Sequence, residues 1–144
     1  MKFELRLIVL SDSDILYKWV NDPVTREASF NTHTIEREEH DSYIESIIES
    51  KTESQFMFEL YGECVGTIKE SINQTDIEIT YAISPDFRGK RIASLMMYCY
   101  LQSRKGVFLC RIKEKNIPSI KMVESCGFTL TDNKNGVLYY NITR

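Results

Sequence analysis

The stretch from Tyr81 to Ser94, Tyr-Ala-Ile-Ser-Pro-Asp-Phe-Arg-Gly-Lys-Arg-Ile-Ala-Ser, holds the residue types whose spacing most directly implies chemistry. An apolar run enters a basic turn at Arg88, Gly89, Lys90 and Arg91, and the turn opens straight into a helix at Ile92, Ala93 and Ser94. The free N–H groups of a helix N-terminus and the positive end of its dipole favour an anion, and the cations of the turn add to that field. A pyrophosphate is the expected ligand. A solvated basic turn between strand and helix is the plainer reading of the same residues.

Composition makes the cluster stand out. The chain has 144 residues, 42% hydrophobic and 27% charged, enough for one core and too few for two, so one domain over 1–144 is expected. A net charge of -3 argues against a nucleic-acid partner bound by general electrostatic attraction, and a basic turn in an acidic chain points to a small anionic ligand. The opening Met1-Lys-Phe-Glu-Leu-Arg has neither the apolar run of a signal peptide nor a transit-peptide composition, and no stretch is long and apolar enough to span a bilayer. A cytoplasmic protein without a membrane partner is expected. Cys64, Cys99, Cys110 and Cys126 show no Cys-x-x-Cys or zinc spacing and read as buried thiols, with no metal site.

A second segment lies downstream: Asn116-Ile-Pro-Ser-Ile-Lys-Met-Val-Glu-Ser-Cys-Gly-Phe128, a capped helix closed by a glycine. Arg88-Gly-Lys-Arg-Ile-Ala93 resembles the Gln/Arg-x-x-Gly-x-Gly/Ala signature of the GNAT superfamily of acetyl-CoA-dependent N-acetyltransferases, and the Asn…Ser…Gly-Phe segment resembles its second CoA-contacting helix, which implies contacts from Asn116 and Ser119. The order and separation of the two segments match that family, and the resemblance runs over most of the chain. Two positions depart from it. Arg91 stands where the middle glycine usually sits, and is expected to start a helix without positive φ and to reach a CoA phosphate. Val123 stands where many members carry the tyrosine taken to protonate the departing thiolate.

The elements that must position these residues alternate along the chain. Phe3 to Leu10 reads as a strand, Asp12 or Ser13 caps a helix through Trp19 ended by Asn21-Asp22-Pro23, and Thr34 precedes a helix with Tyr43, Ile44, Ile47 and Ile48 at helical spacing. Gln55 to Tyr61, Cys64 to Ser71 and Asp76 to Ser84 form a meander. A helix from about Ile92 to Arg104, a strand Val107 to Ile112, the Asn116 helix, and a hairpin of Phe128 to Thr131 with Val137 to Ile142 complete the order. The fold implied by the resemblance is α+β, layered α/β/α: a mixed, mostly antiparallel sheet of six or seven strands flanked by about four helices and splayed at the strands around 76–84 and 107–112.

Acetyl transfer needs a thioester held by its CoA arm, an amine in line with the carbonyl, and a donor for the developing oxyanion. The resemblance implies that backbone groups of Tyr81, Ala82 and Ile83 pair with the pantetheine arm and that an N–H there meets the oxyanion. An amine of pKa about 8 must lose a proton first, and Glu78 is the candidate base. Alternation puts Ile77, Ile79, Tyr81 and Ile83 on one face and Glu78 and Thr80 on the other; Glu78 simply facing solvent is the competing reading. For the proton returned to sulfur, Ser119, Tyr139, Tyr140 and water all stay open.

Acceptor recognition falls to the N-terminal half. Trp19 and Phe30 can stack on a sugar or base, Arg26 can take a phosphate, and Asn21, Asn31 and His40 can bond hydroxyls; each can equally serve packing or turn formation. The pattern Trp-x-Asn-Asp-Pro…Arg…Ser-Phe-Asn followed by Glu-Glu-His resembles the branch that N-acetylates the 4-amino group of UDP-linked amino sugars, as in pseudaminic acid biosynthesis. The branch acting on ribosomal protein N-termini shares a similar element and is the alternative, with a non-catalytic acyl-CoA-binding module as the second. Monomer and homodimer both stay open.

Overall fold

The computed structural model describes residues 2–144. Its sheet has seven strands in the order β1-β2-β3-β4-β5-β7-β6: β1 Phe3–Leu7, β2 Glu53–Leu60, β3 Glu63–Asn73, β4 Asp76–Ile83, β5 Val107–Lys113, β6 Thr129–Lys134 and β7 Val137–Thr143. All neighbours run antiparallel except β4 and β5. That parallel pair is short. It joins Asp76 to Val107, Ile77 to Phe108 and Glu78 to Leu109 and then stops, so the rest of β4 has β3 on one side and no strand on the other.

Period-two alternation sorts the strand residues into two cores. Phe56, Phe58, Ile68, Ile79, Phe108, Cys110, Ile112 and Tyr140 turn to the face covered by α4 (Ile92–Gln102) and α5 (Ile117–Ser125), where Met96, Met97, Tyr100, Met122 and Val123 meet them. Met57 turns to the opposite face, onto Leu16 and Trp19 of α1 (Ser13–Val20) and Ile44 and Ile47 of α3 (Arg37–Glu49). The helices α1 and α3 sit over the β1 to β3 half, which leaves Glu78 and Thr80 of β4 and Leu109, Arg111 and Lys113 of β5 on a face that no long helix covers. Each large side chain fully buried here stabilises the fold by about 1.5–3 kcal/mol relative to exposure.

The layered fold agrees with expectation, but the first strand stops at Leu7 rather than Leu10, where a short helical turn begins, and three further local features differ. Five α-helices form among the described residues rather than about four, because Asn21-Asp22-Pro23 both stops α1 and starts α2 (Pro23–Ala28): the Asp22 carboxylate accepts from the amides of Val24 (3.1 Å) and Thr25 (3.2 Å), with Pro23 at the first helical position. The helix expected after Thr34 begins later, with Glu36 at the capping position. Arg91, expected to avoid positive φ, takes φ 62°, in the left-handed region.

Candidate active site

The basic turn is built by two left-handed residues, Gly89 at φ 76° and Arg91 at φ 62°, which reverse the chain after the short helical turn Pro85–Phe87 and deliver it into α4. Only glycine takes such a φ freely, so Arg91 carries strain of about 1–2 kcal/mol. No side chain caps α4, so the first-turn amides of Ile92, Ala93 and Ser94 have no protein partner from a cap. Lys90 and Arg91 meet no carboxylate among the described residues. Unspent amides, a helix dipole and two free cations therefore converge on one spot, as an anion site requires.

Arg88 lies elsewhere. Its guanidinium reaches back to Asp22 (2.6 Å) and donates to the Thr25 hydroxyl (3.0 Å), tying the turn to the N-terminus of α2. Burial pushes the Asp22 carboxyl up, yet the Arg88 bond and the capped amides of Thr25 and Val24 outweigh it and hold the carboxyl below its usual range.

Beside the turn, the departure of β5 leaves one side of β4 without a ladder. The Ser84 amide donates to the Val65 carbonyl of β3 (2.9 Å), so strand alternation points the amides and carbonyls of Ile83 and Tyr81 into the gap. By the same alternation Ala82 directs its backbone groups back to β3. The gap thus offers an edge of unpaired backbone leading away from the anion site, suited to an extended amide-bearing arm. Asn116 closes its far side, its side-chain oxygen accepting from the Ser119 amide (3.4 Å) at the start of α5. The Tyr81 hydroxyl crosses the gap and donates to Ser119 Oγ (2.6 Å).

On the opposite face, at the last rung before the strands part, the Glu78 carboxylate pairs with Arg111. The Arg111 guanidinium sits 4.9 Å from the Phe30 ring centre, and Lys113 donates to the Glu27 carbonyl (2.8 Å) beside it. Tyr139 lies directly across from Arg111 on β7. Period-two alternation of Arg111 and Lys113 with Cys110 and Ile112 was visible in the sequence, and it marks both as facing away from the core; only the path of α2 shows what they face.

The N-terminal candidates do not gather at this opening. Phe30 does, about half exposed. Trp19 is 5% exposed in the core under α1. Asn21 holds Ile35 by both its amide groups, donating to the carbonyl (2.9 Å) and accepting from the N–H (2.8 Å). Arg26 donates to the carbonyls of Val20 (2.6 Å), Asn31 (2.8 Å) and His33 (3.1 Å) and to the Ser29 hydroxyl (3.1 Å). The Asn31 side chain accepts from the His33 amide (3.2 Å), and His40 is buried against the Ser13 carbonyl (3.0 Å). Tyr140, left open as a proton source, is buried on the helix side and donates to Glu124 (2.7 Å).

An acetyltransferase (GNAT) domain model matches residues 2–129 of this sequence. The chain belongs to the GNAT acetyltransferase family. Among solved structures, a domain from Methanocaldococcus jannaschii DSM 2661 is 24% identical, with 99% of each chain covered and a TM-score of 0.85. Spermidine N-acetyltransferase from Vibrio cholerae, in complex with CoA and spermine, is 18% identical over 98% of this chain and 95% of its own, at a TM-score of 0.86. RimL, a ribosomal L7/L12 α-N-protein acetyltransferase in complex with CoA, is 18% identical over 99% and 94%, at 0.80. A search of curated proteins finds no match. This GNAT protein is an acyltransferase, an acetyl-CoA-dependent N-acetyltransferase. The anion site at Gly89 to Ser94 and the unpaired edge of β4 fit a pyrophosphate and a pantetheine arm. No helix among the described residues is long and apolar enough to cross a membrane.

Proposed function

We propose that this GNAT enzyme N-acetylates an amine acceptor carrying an anionic group, with the 4-amino group of a nucleotide-linked amino sugar as the best-fitting acceptor. The observation behind this reading is the cluster over β5: Arg111 and Lys113 beside the Phe30 ring, at the mouth where β4 and β5 part. With Arg111 paired to Glu78, the cluster keeps one net positive charge at Lys113; a polyamine would bring like charge to it, whereas a phosphate-bearing acceptor would complement it. Phe30, 48% exposed, offers a ring face for a base or sugar.

The donor supplies an activated acetyl group. Lys90, Arg91 and the amides of Gly89, Ile92, Ala93 and Ser94 would hold its pyrophosphate, with Asn116 at the other helix. Backbone groups of Tyr81 and Ile83 would hold its arm, and an N–H on that edge would meet the oxyanion. Glu78, oriented by Arg111 on the acceptor side, would take the amine proton directly or through water, so that attack is direct within a ternary complex. Ser119 and Tyr139 flank the opening from opposite faces and remain the hydroxyl candidates for the leaving sulfur.

The likeness to RimL favours one second reading, acetylation of a protein N-terminus. CoA-thiol release should be followed with a UDP-4-amino-deoxyhexose and, separately, with peptides bearing free N-terminal alanine or serine. Turnover of the sugar with silent peptides is expected; turnover of the peptides alone would move the enzyme to the second reading.

A further inference from the structure

An enzyme that transfers acetyl groups to amines carries lysine amines of its own, and the strands bordering the gap decide whether one of them meets the thioester. β4, from Asp76 to Ile83, holds no lysine. β5, from Val107 to Lys113, holds Lys113 alone. Other lysines near the site are placed away from the gap. Lys69 on β3 stands 4.9 Å from the ring centre of Tyr43 on α3 and 3.8 Å from Glu53. Lys134 on β6 stands 5.0 Å from the Tyr139 ring centre, with β7 between its own strand and β5. Lys90 belongs to the anion site, its Nζ 5.4 Å from the Phe87 ring centre.

Lys113 has the level and the face that the thioester requires. The last shared rung joins Glu78 to Leu109; at about 3.3 Å per residue, Lys113 stands about 13 Å beyond it on β5, between the levels of Tyr81 (about 10 Å) and Ile83 (about 17 Å) on β4. A donor arm paired with the free edge at Tyr81 and Ile83 therefore passes Lys113, and its thioester lies between Lys113 and the rung. Ile112 is buried in the core, so by alternation Lys113 faces the acceptor side. There its Nζ donates to the Glu27 carbonyl of α2 (2.8 Å), stands 6.0 Å from the Phe30 ring centre, and meets no carboxylate among the described residues. A single bond to a carbonyl holds the group over the opening, and its flexible stem can turn it down to the thioester. Arg111, the other cation on this part of β5, is held by Glu78 and has no amine to acylate.

We propose that the protein acetylates itself at Lys113 when acetyl-CoA is bound and no acceptor fills the opening. The ammonium releases a proton to water or to Glu78, and the Nζ electron pair forms a bond to the thioester carbonyl carbon. The C–S bond breaks with its electron pair going to sulfur, and sulfur takes up a proton as the CoA thiol leaves. The product is an acetylated lysine without charge. Because Arg111 is balanced by Glu78, the cluster over β5 then has no net positive charge left. Donor in excess over acceptor thus marks the enzyme and weakens its hold on an anionic acceptor.

Self-acetylation rests on acetyl transfer alone, and only the feedback rests on the anionic-acceptor reading, so the two have separate readouts. The full chain is incubated with acetyl-CoA and no amine, digested, and mapped by tandem mass spectrometry. Lys113 should gain an acetyl group at least about tenfold faster than the exposed Lys115 and Lys121, a small share of what proximity can give. The rate should not change on dilution of the enzyme at saturating acetyl-CoA, and excess free CoA should protect Lys113 but not Lys115 or Lys121. Lys113→Arg, shown folded by circular dichroism, should lack the fast phase. Labelling of Lys113 no faster than of those two surface lysines, or labelling that CoA does not suppress, would overturn the proposal. With a UDP-4-amino-deoxyhexose as acceptor, prior acetylation should raise its KM several-fold in the wild type and leave that of Lys113→Arg as it was. An unchanged KM in fully acetylated wild type would overturn the feedback and count against the anionic acceptor, with self-acetylation still standing.

Discussion

Arg88 of the basic turn lies 2.6 Å from Asp22, a residue 66 positions earlier that caps α2, so the basic turn and α2 share one ion pair. The numbering gives the separation directly, 88 minus 22. Arg88 is the first cation of the turn in sequence, yet its charge is directed away from the other two. The pair therefore joins the proposed donor side of the site to the proposed acceptor side.

Removing that link should affect both sides at once. Asp22→Asn keeps a capping oxygen for α2 but loses the charge, and Arg88→Ala loses both of its bonds. In a double-mutant cycle the coupling should be about 0.5–1 kcal/mol, modest because Arg88 is partly solvated. The Asp22 carboxyl is depressed in the folded state, so its contribution is complete above the ordinary carboxylate range and is lost as pH falls through the depressed value. Denaturant midpoints of the four cycle members at neutral and acid pH check both statements, and zero coupling at neutral pH would reject them.

Arg91 stores strain at the start of α4. Arg91→Gly should relieve about 1 kcal/mol, offset in part by the greater freedom of glycine in the unfolded chain, so its stability should match or exceed that of the wild type. Arg91→Ala keeps the strain and should gain nothing. Both variants should bind CoA several-fold more weakly and with a shallower salt dependence, because each loses one cation at the anion site. Thermal melts with calorimetric titration of CoA at two ionic strengths decide it; a glycine variant that melts well below the alanine variant would show the left-handed geometry to be unstrained.

The basic turn, the Asn116 helix and the strand alternation were legible in the sequence because each rests on local rules: glycine and cations at a helix start, a capping asparagine, a period of two. The same local rules underlie the one misjudged backbone angle: an arginine by its own type gives no sign of a left-handed φ, and the one signal was that Arg91 stands where the resembled signature has a glycine. Long-range partners were not legible. Nothing in Trp19-Val-Asn-Asp-Pro-Val-Thr-Arg says that Asn21 will clamp Ile35, that Arg26 will gather carbonyls, or that Asp22 will reach Arg88. Polar and aromatic residues that bind ligands and those that staple a loop have the same composition, and only the fold separates them.

His40 makes stability depend on pH. It is 4% exposed, its ring nitrogen sits 3.0 Å from the Ser13 carbonyl, and the Tyr17 ring lies 5.2 Å away. Burial lowers its pKa, with Arg37 adding to that, against the raising influence of the Ser13 bond and Asp41. Unfolded histidine, near 6.5, then binds more protons than the folded one, so this contribution is complete above about pH 6.5 and is lost as pH falls below it. Urea midpoints should drop between about pH 7.5 and about pH 5.5 in the wild type, and His40→Gln, which keeps a donor for the Ser13 carbonyl, should flatten that drop. An equal drop in both proteins would assign the acid sensitivity to the carboxylates.

Arg26 and Arg111 should separate scaffold from recognition. Arg26 spends its guanidinium on three carbonyls and a hydroxyl, and burial lowers its pKa, so it braces the loop that carries Phe30. An ammonium group cannot reproduce that spread of donors, so Arg26→Lys should be nearly as damaging as Arg26→Ala, each costing about 1 kcal/mol, chiefly through the half-buried Val20 carbonyl, since water can reach those of Asn31 and His33. Arg111, partly exposed beside Phe30, bears less structure. Arg111→Ala should change stability by less than about 1 kcal/mol, raise the KM of a phosphate-bearing acceptor at least about tenfold, and leave the KM of acetyl-CoA nearly unchanged. If the two variants instead raise the acceptor KM equally and melt at the same temperature, Arg111 is part of the scaffold too, and the anionic acceptor loses its main support.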